Sequence, residues 1–90
     1  MTRKTVIYEA SLDVRLPPEN IEAAYEELVH ANSVEVISEE RGILRVVEQV
    51  VATSPFDAFA RAQRVTTAQL EAGDIEYYNV SHYFAEEVSC

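Results

Sequence analysis

The sequence predicts an α+β fold: a ferredoxin-like split β-α-β (βαββαβ), with a four-stranded antiparallel sheet and two helices on one face. Three observations predict it. A long segment near the N-terminus alternates apolar and polar residues with period two. Two later segments, each entered through proline, repeat apolar residues at helical spacing. Between them, two β-rich segments flank Arg41-Gly42. Adding a last aromatic strand gives the order β-α-β-β-α-β.

Residues 5–16 form the first strand. Val6, Tyr8, Ala10, Leu12, Val14 and Leu16 are apolar, while Thr5, Glu9, Ser11, Asp13 and Arg15 are polar and Ile7 is the exception. That is a strand with one buried face. Pro17-Pro18 ends it, because proline has no N–H for the ladder but fits a helix's first turn. Ile21, Ala24, Tyr25, Leu28 and Val29 then make one stripe of an amphipathic helix. Acidic residues in its first turns suit the helix dipole. Asn32 is expected to end it in the left-handed conformation.

Residues 34–40 are the second strand and residues 43–53 the third. Gly42 supplies the positive φ that their hairpin turn needs. Ser54-Pro55-Phe56-Asp57 opens the second helix, with a serine cap, a first-turn proline and an approximate capping box. The helix runs through Phe59, Ala62 and Thr66 to Leu70, and Gly73 is placed to end it. Residues 75–88 are the last strand, with Tyr77, Tyr78, Tyr83 and Phe84 in its middle. Its apolar parity shifts near Tyr77-Tyr78, which predicts a bulge there. Right-handed crossovers put the first and third strands at the sheet's centre.

The 90 residues are read as one domain, 1–90, with no linker or internal repeat. Cys90 is the only cysteine, so no intramolecular disulfide or cysteine-based metal site is expected. A reducing, cytoplasmic setting follows. Neither a signal-peptide run nor a bilayer-length apolar stretch is present in the sequence, and no C-a-a-X pattern precedes Cys90. The net charge of −9 argues against direct binding to nucleic acid or to an anionic membrane. It leaves simple solubility or a basic partner.

Charge is unevenly distributed. Between Glu19 and Glu40 every charged residue is acidic: Glu19, Glu22, Glu26, Glu27, Glu35, Glu39 and Glu40. On the first helix, Glu19, Glu22 and Glu26 share a face at a spacing of about 4.5 to 6 Å. That is close to the spacing of phosphates along a nucleic-acid strand. The functional reading is an acidic surface that docks in a basic groove. In its most specific form it is a nucleic-acid mimic that blocks a nuclease or defence complex, as phage-encoded inhibitors, anti-CRISPR proteins among them, do. The competing reading is a solvated helix face and a charged edge strand.

The third strand is half apolar on both sides. Leu44, Val46, Glu48, Val50 and Ala52 face one way, and Ile43, Arg45, Val47, Gln49, Val51 and Thr53 the other. Periodicity leaves the buried side open. Ile7, Ile37 and Val47 suggest apolar surface on an uncovered sheet face, which a second copy would cover in a dimeric α/β barrel. Isolated apolar exposure is ordinary, and a contiguous patch is not. A pocket between sheet and helices, lined by Tyr8, Glu48, Tyr78 and His82, would then handle a small ligand by acid–base chemistry. Glu48 would carry a raised pKa if it faced the core, but exposure or a dimer contact is expected. His30 is explained by its place near a helix C-terminus, and His82 by a half-buried imidazole. The sequence has no G-x-S-x-G elbow, Gly-rich phosphate loop or RNP consensus. No catalytic residue, metal or cofactor is predicted, and a non-enzymatic interaction protein is preferred to the pocket reading.

Overall fold

The computed structural model describes residues 4–88. The expectations for residues 1–3 and for Cys90 lie outside the described residues. The elements are β1 (Val6–Arg15), a 3-10 turn (Pro18–Asn20), α1 (Ile21–Val29), β2 (Ser33–Ser38), β3 (Ile43–Ala52), α2 (Pro55–Ala72) and β4 (Asn79–Glu87). The sheet has four strands in the order β2-β3-β1-β4, and every neighbouring pair is antiparallel. The longest strands, β1 and β3, lie at the centre and pair without a break from Val6↔Ala52 to Arg15↔Ile43.

The core answers the parity question. Tyr8, Ala10, Leu12 and Val14 of β1 are buried with Leu44, Val46 and Ala52 of β3. Against them pack Ile21, Ala24 and Leu28 of α1, and Ala58, Ala62 and Leu70 of α2. Both helices therefore cover the even-numbered face. Each fully buried leucine contributes roughly 1.5–3 kcal/mol relative to exposure. Among the described residues, no helix is long and apolar enough to cross a membrane.

Local chemistry sets the element ends. Ser54 caps α2, its hydroxyl accepting from the Asp57 N–H at 3.1 Å. Asp57 accepts in turn from the Thr53 N–H at 3.0 Å. This bond, foremost, holds the Asp57 carboxyl below the usual carboxylate range, and Arg61 adds to it. Gly42 adopts φ +72°, and a side chain there would run into the Leu16 carbonyl. The Leu16 N–H donates to Gly42 O at 2.9 Å, which pins the hairpin turn against the end of β1.

Three expectations are corrected, those for Asn32, the start of the last strand and the bulge. Asn32 does not take a left-handed φ. It ends α1 with its side chain, Nδ2 donating to Leu28 O at 3.1 Å and to Gln69 Oε1 at 3.0 Å. Gly73 closes α2 as expected, at φ −84°, and Asp74 after it takes the positive φ of 55°. The last strand begins at Asn79 rather than residue 75. Ile75 and Tyr77 pack on the core from a loop. The bulge lies not at Tyr77-Tyr78 but at Tyr83, where the β1 partners jump from Ser11↔Phe84 to Leu12↔His82.

Candidate functional site

Two clefts flank α1. Only part of its predicted stripe is buried: Ile21, Ala24 and Leu28. The other two members remain partly exposed, and each borders one cleft. Tyr25 faces β2, and Val29 faces the β3 edge.

The first cleft is a groove of about 490 Å³ between α1 and β2. Its floor is Pro18, Ile21, Tyr25 and Val36, and its rim is Glu19, Glu22 and Glu39. Tyr25 is 36% exposed and Val36 38%, so the floor meets solvent. Among the described residues, no lysine or arginine borders it. Of the seven predicted acidic residues, three converge here. Glu26 and Glu40 are exposed outside the lining. Glu27 folds toward α2, its Cγ and Cδ against Gly73. Glu35 pairs in register with Arg45, so strand alternation turns it to the opposite sheet face. The acidic sector is thus divided by the sheet rather than continuous.

The second cleft is open, about 630 Å³, and lies beside the β3 edge. The β2–β3 ladder stops at Ser33↔Val47, so β3 has no β2 neighbour from Glu48 onward. Val29 of α1 and Val65 of α2 wall the gap with Val47 and Val50, and Glu48 forms part of its lining. Glu48 is only 6% exposed, which overturns the expectation of an exposed or dimer-contact residue. It shares the even face with Leu44 and Val46, and that face is the core. The Thr66 hydroxyl donates to Glu48 Oε2. Burial pushes the Glu48 carboxyl up, and the Thr66 bond only partly offsets this. Thr66 was legible only as a polar residue within an otherwise apolar helical stripe.

The other pocket candidates do not join Glu48. Tyr8 packs with Ala52 and Ala58 in a separate small cluster. His82 stacks on Phe59, ring centroids 4.0 Å apart and planes 5° from parallel. Phe59 and Thr66 lie two turns apart on α2, about 10 Å, which separates His82 from Glu48. Tyr78 is 68% exposed. The predicted four-residue pocket is therefore not assembled.

The uncovered face carries apolar and charged side chains in rows. Ile7 sits opposite Val51, which is 55% exposed. The Gln49–Glu9–Glu86 row follows, then Val47–Ser11–Phe84, then Arg45–Asp13–Ser81. Ile37 lies at the β2 irregularity, outside this pattern. Arg45 Nε donates to Asp13 Oδ1 at 2.8 Å, and its guanidinium lies 3.5 Å from the Tyr83 ring centroid. The Asp13 bond holds the Arg45 pKa above its ordinary value. Sequence reading missed this cluster, because it depends on the β1–β3 register and the β4 bulge. Among the described residues, no three His, Cys, Asp or Glu side chains are placed to hold a metal ion. Comparison with protein-family models, with curated proteins and with solved structures finds no match to this chain.

Proposed function

We propose that the protein is a non-enzymatic acidic interaction module whose α1–β2 groove docks a basic segment of a partner protein. One observation carries this reading: Glu19, Glu22 and Glu39 surround an exposed apolar floor, with no cation among the described residues that line it. Lysine and arginine match that chemistry, since their stems lie on apolar surface while their heads reach charge. Tyr25 offers a ring face for a cation in addition. An inhibitor that covers a basic nuclease or defence-complex surface is the most specific form. A pure phosphate mimic needs carboxylates in a row; a rim around an apolar floor favours a segment that is basic and apolar together. The element order and the strand order β2-β3-β1-β4 support a ferredoxin-like split β-α-β as the scaffold.

The test is titration of the full chain with a synthetic peptide alternating arginine and leucine, against an acidic peptide of equal length. Binding of the basic peptide should weaken steeply with salt. Glu22→Lys or Glu39→Lys should weaken it by about tenfold or more, because a like charge then faces the ligand. Glu40→Lys makes the same change in net charge outside the groove and should cost much less. Equal losses in all three would show attraction to net charge alone and refute the groove.

A further inference from the structure

We propose that the cleft beside Glu48 is a second binding site, distinct from the α1–β2 groove. Its ligand is a small primary amine in its ammonium form, paired with Glu48 and laying its alkyl body against Val29, Val50 and Val65.

The cleft has the composition such a ligand needs. Glu48 is 6% exposed, and among the described residues its one hydrogen-bond donor is the Thr66 hydroxyl, to Oε2. No described residue donates to Oε1, and because no fully buried side-chain oxygen lacks a partner, Oε1 opens onto the cleft; no described cation acts on the carboxyl. A buried carboxylate without a positive partner is costly and is relieved either by a proton or by a cation. Among the described residues the cleft supplies no such cation: its lining holds Glu48 and Glu9 as titratable groups, with neither lysine nor arginine. From β1, the residue in register with Glu48 is Ala10. From α2 it meets Thr66. The ladder that ends at Ser33↔Val47 leaves the entrance open.

The choice of ammonium over guanidinium follows from the free oxygen. A guanidinium fork engages both oxygens of a carboxylate, but Thr66 already occupies Oε2. An ammonium is a compact donor that needs one acceptor. The valine walls suit a short alkyl chain, and Asn32, Ser33 and Gln49 provide polar contacts at the sides.

The experiment titrates the isotopically labelled full chain with n-butylammonium chloride, and in parallel with sodium butyrate and n-butanol. Methyl shifts of Val29, Val50 and Val65 and the Glu48 carboxyl carbon are read by NMR. The expected result is saturable shifts with the amine only, and a fall in the Glu48 pKa when the amine is bound. Glu48→Gln keeps an acceptor for Thr66 but loses the charge, and should weaken binding by about tenfold or more. Glu22→Lys, in the other groove, should leave it unchanged. Absence of saturable shifts, equal response to butanol or butyrate, or equal loss in Glu22→Lys overturns the proposal. Should Glu48→Gln fail to fold, the wild-type pKa decides: a Glu48 titration unmoved by saturating amine overturns it.

Discussion

Thr66→Val isolates the one hydrogen bond that holds a buried carboxylate. Valine has nearly the shape of threonine, and Thr66 is fully buried, so packing is preserved while the donor to Glu48 Oε2 is removed. A hydrogen bond to a charged group contributes about 1.5–3 kcal/mol, and one between neutral groups about 0.5–1.5 kcal/mol. Thr66→Val should therefore cost about 1 kcal/mol more at neutral pH than in acid. The sign follows from linkage. Burial raises the folded-state pKa of Glu48, so the folded protein holds this proton more tightly than the unfolded chain. Glu48 thus makes stability fall as pH rises from the ordinary glutamate range through the raised folded pKa. The Thr66 bond lowers that folded pKa, and its loss raises it further. The mutant's deficit should be largest above this range and shrink below it. Urea unfolding of both proteins at neutral pH and near pH 4 measures it, provided the slopes agree. A deficit equal at both pH values, or larger in acid, would refute the reasoning. Glu48→Gln should in turn be more stable than wild type at neutral pH, with this part of the pH dependence gone.

The other predictions concern the scaffold. Gly42→Ala should cost at least about 2 kcal/mol in thermal or urea unfolding, because φ +72° disfavours any L side chain and Cβ would meet the Leu16 carbonyl. A loss within a few tenths of a kcal/mol would mean that the hairpin turn relaxes freely. Arg45→Met keeps the stem but removes the partner of Asp13 and the cation over Tyr83. It should cost about 1 kcal/mol, partly screened by salt; a double-mutant cycle with Asp13→Asn isolates the pair.

Legibility in the sequence tracked how local each signal was. β1 falls within the alternating segment because one strand's period is self-contained. The start of α2 was legible because Ser54, Pro55 and Asp57 act within a single turn. The parity of β3 was not, since each side offers several apolar residues and only pairing with β1 turns Leu44 and Val46 inward. The start of β4 was misplaced because Ile75 and Tyr77 are apolar for the core's sake, not for a strand's. The acidic run was visible as composition, but its division was not. Glu35 and Glu39 lie only four residues apart in sequence, yet Glu35 shares the uncovered face with Arg45 while Glu39 rims the groove. The groove's floor was hidden as well, because Ile21 and Tyr25 read equally as core stripe.

Both clefts have one structural origin. β3 spans ten residues, but β2 only six, and β2 pairs only with the half of β3 up to Val47. Beyond that point no described residue stands where a longer edge strand would cover Glu48, and Val29 and Val65 face a gap instead. At the other end β2 breaks register between Val36 and Ser38 before the turn. Val36 is left half-covered there, and Glu39 stands beside Glu19 and Glu22. A β2 longer at its N-terminal end would bury the Glu48 cleft and leave the acidic groove in place. A regular β2–β3 hairpin would move Glu39 and leave the Glu48 cleft open. The two sites are therefore structurally separable, and each can be removed without the other by editing one end of a single short strand.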